Sequence, residues 1–361
     1  MECIIEEMGS SALHLLEICL MKLFRITLLI SLCSVVALQS CSLIDDDLSV
    51  CGKDLVVQYQ LQLKTSLNMQ LATELYAESD STARKAVERH LSNIFTDHAH
   101  DIDVMFFSQV NDNVAYHLRD TINDNRSTYT IFLPVDYYHH LSLANLDDNG
   151  VVTANDTVSS AYSQLQVTHA DTLPTQKTGI FAARLEIEVQ DTANQTINVI
   201  LSQVNSAVVL LIDTISQSVE DIDVLVDGTA SGMMLRDSSF IFDRAVTVRA
   251  ENFSAPANVS SFRNRLPEQP KYSMFSAVCM PSSDNSDAEG AYFKVGVYVK
   301  LADSTVTKTE LSVRSPLRAG QLMVLKTKMN DDGSIVPSVD SNVGATVTLD
   351  WKDGGHHDIE M

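Results

Sequence analysis

The sequence predicts a mainly β fold: two tandem β-sandwich domains, with one amphipathic helix in the first. Three observations carry that expectation. Apolar and polar residues alternate with a period of two in many short runs, a single stretch switches to a helical period, and turn-forming clusters punctuate the runs at short intervals. Strands so closely spaced suit sandwiches, because a parallel sheet needs a helix between successive strands. The 361 residues suffice for two ordinary domains, and 45% of them are hydrophobic, enough to bury a core.

The first strand signal is "LVVQYQLQLK", which places Leu55, Val57, Tyr59, Leu61 and Leu63 on one face and Val56 and three glutamines on the other. The period then changes in "DSTARKAVERHLSNIF". There Ala83, Ala86, Val87, His90, Leu91, Ile94 and Phe95 form one helical stripe, and Asp80, Ser81 or Thr82 is placed to cap it. "DIDVMFF" puts Ile102, Val104 and Phe106 on one strand face, and "STYTIFL" does so with Tyr129, Ile131 and Leu133. "HHLSLANL" follows, ending in the turn-like Asp147-Asp148-Asn149-Gly150.

"ARLEIEV" and "TINVILSQV" alternate again, while "AVVLLI" (207–212) is continuously apolar and predicts a strand buried on both faces. "DIDVLVDG" and "RAVTVRA" are further strands. Residues 251–290 lack periodicity and hold Pro256, Pro267, Pro270 and Pro281, which predicts a long surface loop. "YFKVGVYVKL" and "TVTKTELSV" flank a hairpin turn, as do "GQLMVLKTKM" and "SIVPSV". "VGATVTLDW" sets Val343, Ala345, Val347, Leu349 and Trp351 on one face, so Trp351 reads as core. The seam between domains is expected near residue 195, in "DTANQT", giving domains 54–195 and 196–361.

The segment before residue 54 is organised for export. Residues 21–40 carry Lys22 and Arg25, then an apolar run from Ile26 to Leu38. That run is shorter than the ~20 residues a membrane-spanning helix needs and fits the hydrophobic part of a signal peptide. Leu38-Gln39-Ser40-Cys41 resembles a bacterial lipobox, in which the cysteine receives lipid after cleavage; a plain signal peptide with an unlipidated Cys41 is the alternative. Residues 41–53 form the expected lipidated tether, opening with Asp45, Asp46 and Asp47, an acidic patch that resembles a surface-export signal or is simply a polar linker. Residues 1–20 place four glutamates where a signal wants positive charge, so Met21 is the expected start. Of the mature cysteines, lipidation of Cys41 would leave Cys51 and Cys279, either as a disulfide, as export permits, or as two free thiols.

The formal net charge of −22 repels polyanions and argues against nucleic acid and anionic lipid headgroups as partners. No phosphate-cradling, zinc-protease or nucleophile-elbow motif occurs in the sequence, which gives no reason to expect an enzyme, a cofactor or a small-molecule substrate. The best metal-like grouping is His98, His100, Asp101 and Asp103 at the start of a strand, where a polar strand rim explains the residues better than a metal site. The adjacent pairs His139-His140 and His356-His357 point to opposite strand faces. "DDNG" (147–150) and "NDDG" (330–333) resemble partial calcium loops but lack the downstream glutamate, so they read as hairpin turns.

Taken in order, the lipobox, "DDDLSVCGKDLVVQYQLQLKT", "LSNIFTDHAHDIDVMFF", "STYTIFLPVDYYHHLSLANL", "SPLRAGQLMVLKTKMNDDGSIVP" and "VGATVTLDWKDG" resemble the FimB-type fimbrial anchor family of Bacteroidales. The resemblance spans nearly all of residues 41–355. It implies two transthyretin-like β-sandwiches and an outer-membrane lipoprotein at the base of a type V pilus. The implied partners are a fimbrial shaft subunit (pilin), docked by strand addition, and membrane lipid reached through Cys41. Seven triplets, beginning at Asp80, Asp120, Asp156, Asp171, Asp191, Asp213 and Asp303, also resemble the O-glycosylation site of exported Bacteroidetes proteins. A surface lipoprotein that binds glycans is the competing expectation. It is weakened by the low aromatic content, 6%, and by Trp351 being the sole tryptophan.

Overall fold

A computed structural model of the chain describes residues 55–64, 81–95, 99–122, 128–155, 159–191, 195–213, 219–254, 272–338 and 343–350. The strands begin with β1 (Leu55–Lys64), β2 (Asp101–Ser108), β3 (Val114–Thr121), β4 (Thr128–Leu133) and β5 (Asp136–Ala144). Next come β6 (Val152–Asn155), β7 (Gln164–Val167), β8 (Leu173–Pro174), β9 (Phe181–Val189) and β10 (Gln195–Gln203). They continue with β11 (Ser206–Asp213), β12 (Val219–Asp227), β13 (Gly232–Met234), β14 (Phe240–Ile241), β15 (Thr247–Arg249), β16 (Glu251–Asn252) and β17 (Tyr272–Cys279). The last are β18 (Phe293–Leu301), β19 (Val306–Val313), β20 (Leu322–Met329), β21 (Ile335–Pro337) and β22 (Val343–Asp350). One α-helix, α1 (Ser81–Ile94), occurs among the described residues. Among the described residues the fold is mainly β with a single α-helix, as expected, and those from Leu55 onward belong to one compact unit.

The first sheet has seven strands in the order β3-β2-β5-β9-β10-β1-β4. Its pairs are antiparallel except β1 with β10, which run parallel with Val57 opposite Gln195. Three strands separate β1 from β2, a span of roughly 19 Å in a flat sheet with neighbours ~4.8 Å apart. Yet the rings of Tyr59 on β1 and Phe106 on β2 lie 6.2 Å apart. The sheet therefore curls over on itself, and its two halves become the layers of a sandwich. The core between them is Val57, Tyr59, Ile102, Val104, Phe106, Ile131, Leu133, Tyr138, Phe181, Val199 and Leu201, all drawn from one face of this sheet.

A second sandwich pairs the sheet β16-β17-β11-β20-β21 with the sheet β22-β19-β18-β12-β15-β8. Val208, Leu210 and Ile212 of β11 face Val295, Val297 and Val299 of β18 across this core. The odd positions of β11, namely Ala207, Val209 and Leu211, face the other way and meet Ala83, Val87, Leu91 and Phe95 of α1. This explains the unbroken apolar run 207–212: both faces of β11 are covered. In sequence α1 precedes β2, but in packing it covers the outer face of β11, β17 and β20.

Two expectations are corrected here. Residues 272–279, placed within a surface loop, form the buried strand β17 beside β11. The strand lies buried from Met274 to Cys279, so it has no polar face to create alternation. "DDNG" (147–150) is a turn but not a hairpin, because β5 lies in the first sheet and β6 in the small sheet β14-β13-β7-β6. β10 begins at residue 195, where the seam between domains is expected, and pairs with β1 and β9, so the first sheet runs to Gln203. In the small sheet β13 passes so close to β7 that a Cβ on Gly232 would clash with the Leu165 carbonyl oxygen.

Candidate functional site

Residues 21–40, expected to direct export, and Cys41, Cys51, His98, Trp351, His356 and His357 lie outside the described residues. Cys279 is inside them. It ends β17 as a free, fully buried thiol, and burial pushes it up to about 12. A thiol so placed is neither nucleophile nor ligand at neutral pH.

The grouping at the start of β2 is structural. Asp101 accepts the backbone N–H of Leu146 at 2.9 Å and of Asp147 at 3.3 Å, which ties β2 to the turn after β5. Burial nevertheless holds its carboxyl above the usual range. Asp103 pairs with His117 of β3 at 2.6 Å. His100 donates its backbone N–H to Asn145 Oδ1 at 2.7 Å. No group of three His, Cys, Asp or Glu side chains is set to hold a metal among the described residues. The turn 147–150 is fixed by Asn149 Oδ1, which accepts the Val152 N–H at 3.0 Å, and by Gly150 at φ 75°. "NDDG" is the expected hairpin, joining β20 to β21 with Gly333 at φ 79°.

His139 and His140 do point to opposite faces. His140 is sealed in the first core, where its Nδ1–H donates to the Met105 carbonyl at 2.9 Å. Its Nε2 then accepts from the Tyr59 hydroxyl at 2.8 Å. Phe106 stacks on the imidazole at 4.4 Å. Burial lowers the pKa of His140 to about 4, so the ring is neutral under ordinary conditions. Nothing local in the sequence announces this arrangement, since Tyr59 and His140 are 81 residues apart. Asn205, between β10 and β11, was missed for the same reason. Its amide donates to Gln176 Oε1 and to the Thr178 carbonyl, both at 2.8 Å, and accepts the Ile180 N–H at 3.1 Å. Its own carbonyl accepts from Gly320 N at 2.9 Å.

These clusters are devices of the fold and contain no arrangement of nucleophile, base and oxyanion donor. What the sheets offer a macromolecule is their edges: among the described residues β4 pairs with β1 alone, and β3 with β2 alone. Along β4 buried residues alternate with exposed ones, and Phe132 is 57% exposed.

Comparison with known proteins supplies the context. The family described as fimbrillin-A associated anchor proteins Mfa1 and Mfa2 matches residues 87–352. No curated protein sequence is similar enough to match this chain. Among solved structures, a candidate adhesin from Bacteroides ovatus superposes with a TM-score of 0.50 at 9% identity, covering 81% of this chain and 96% of that one. A candidate adhesin from Bacteroides thetaiotaomicron gives a TM-score of 0.50 at 10% identity, covering 82% and 98%. The fimbrial anchor protein Mfa2 from Porphyromonas gingivalis is 10% identical, with a TM-score of 0.45 and coverage of 82% and 98%. At such identities the first two establish likeness of fold. The family match spans most of the chain, from within α1 to beyond β22. The chain therefore belongs to the fimbrillin-A associated anchor proteins, a family of structural fimbrial proteins and not of enzymes.

Proposed function

We propose that this protein is the anchor subunit of a type V pilus, holding the fimbrial shaft to the outer membrane and limiting its growth. The match of residues 87–352 to the fimbrial anchor family carries the reading. On it, residues 21–40 are removed and Cys41 becomes a lipidated N-terminus. Residues 41–53 then tether the two sandwiches to the membrane surface. Each buried CH₂ of an acyl chain contributes about 0.8 kcal/mol, and stable attachment takes more than one chain. A pilin would dock by strand addition to an open sheet edge such as β4, where backbone hydrogen bonds give affinity and alternate side chains give specificity.

Metabolic labelling with an alkyne fatty acid tests this directly. Label is expected on the wild type and absent from Cys41→Ala, whose cells should shed their fimbriae into the medium. Equal labelling of both proteins, or full retention of fimbriae by the mutant, would refute the anchoring role of Cys41.

A further inference from the structure

A cleft of about 350 Å³ opens between β5, β9 and the turn joining β13 to β14. Its lining includes His139, Arg184, Leu185, Glu186 and Arg236. The turn that presents Arg236 is fixed from both ends. Leu235 is buried and donates its N–H to the Ser163 carbonyl at 2.9 Å. Asp237 accepts the backbone N–H and the hydroxyl of Ser239 at 2.8 and 2.6 Å.

The hydrogen bonds within the cleft have a definite direction. Arg184 Nη1 donates to the Arg236 carbonyl at 2.8 Å. Arg236 Nη2 lies 3.0 Å from His139 Nε2. A guanidinium has no acceptor, so Nε2 must accept, and the ring proton sits on Nδ1. That proton is donated to Glu186 at 2.7 Å. Gln109 donates to the other oxygen of Glu186.

Both guanidiniums thus bond to neutral acceptors, a carbonyl and an imidazole. Neither forms an ion pair with a carboxylate among the described residues, although Asp237 is near enough to Arg184 to feel its charge. In a chain with 47 acidic and 25 basic residues, two neighbouring arginines left in that state stand out. Each guanidinium has five N–H donors in a planar fork, which matches a carboxylate.

We propose that this cleft binds a carboxylate-bearing sugar, its carboxylate held by the guanidiniums of Arg184 and Arg236. The volume lies at the small end of the ~300–1,000 Å³ typical of ligand pockets. Leu141, which pairs with Arg184 on the same face of the sheet, supplies an apolar floor. Tyr137, 53% exposed, lies two residues before His139 on the same strand face and offers a ring against which a pyranose can stack. Glu186 is an acceptor for sugar hydroxyls. Beside the cleft β9 is paired with β5, while its pairing with β10 is confined to Phe181 and Ala182, so an acidic peptide is the rival occupant that the test must exclude.

The test is calorimetric titration of the full-length protein in detergent with glucuronate, glucose and a tetraglutamate peptide. Glucuronate should bind at least about tenfold more tightly than glucose, and Arg236→Ala should weaken it by at least about tenfold with an unchanged thermal melt. Arg184→Gln makes the same test if Arg236→Ala fails to fold. The proposal is overturned if glucuronate does not bind, if glucose binds equally well, if the peptide binds in place of glucuronate, or if the folded variant binds like the wild type.

Discussion

His140 is neutral because the first core excludes water from it, and that neutrality has a cost in acid. Its pKa falls from an ordinary 6.5 to about 4 in the folded protein. The unfolded chain takes up a proton as pH drops below 6.5, while the folded chain resists until about 4. The contribution of His140 is therefore fully present above pH 6.5 and is lost as pH falls towards 4, to a total of about 3 kcal/mol. Urea titrations between pH 7 and 4 should show this loss, and His140→Gln should flatten the curve across that window. A mutant whose stability falls as steeply as the wild type would remove His140 from the account. Asn205 makes a second prediction. Asn205→Ala strands the Ile180 N–H and Gln176 Oε1 in the interior, at a cost of about 2 kcal/mol or more, while the Thr178 carbonyl keeps its bond from Asn149. A loss under ~1 kcal/mol by chemical denaturation would mean that water or neighbouring groups replace those bonds.

How legible each element is in the sequence depends on how it is buried. β4 has one wet face and one dry face, and Tyr129, Ile131 and Leu133 announce it. The pair β18 and β19 reads as a hairpin because the turn is short and both strands alternate. β17 is covered on one side by the inner core and on the other by α1, so its mixture of Met274, Phe275, Ser276, Ala277 and Val278 carries no period. The prolines around it point to a loop, and the burial that overrides them is tertiary. β2 is half-legible: Ile102, Val104 and Phe106 share a face, but Met105 and Phe107 are buried as well, against a different core. The helix is the clearest case, and its stripe is also testable. Leu91 is fully buried against the second sandwich, so Leu91→Ala should cost about 2–5 kcal/mol. Ser92→Ala, on the exposed face, should stay within ~0.5 kcal/mol. Equal effects from the two substitutions in thermal melts would contradict the packing of α1.

The described residues form sheets with open edges, and the full sequence is strongly acidic, with a net charge of −22. Such a charge repels anionic headgroups and cannot hold the protein to a membrane. The proposed attachment site at Cys41 rests on the sequence alone, because the resemblance to a lipobox is a local pattern. The cleft beside Arg184 and Arg236 was not readable there, because its residues lie on three separate elements that only the fold brings together. The anchor reading makes attachment depend on the acyl chains of Cys41 and makes function depend on a docked pilin. Both are read in one measurement: intact mass of the native protein purified in detergent, with its co-purifying partners identified. The account predicts a chain starting at Cys41 with added acyl mass, accompanied by a pilin. An unmodified Cys41, or a lipidated protein that brings down no pilin, would contradict it.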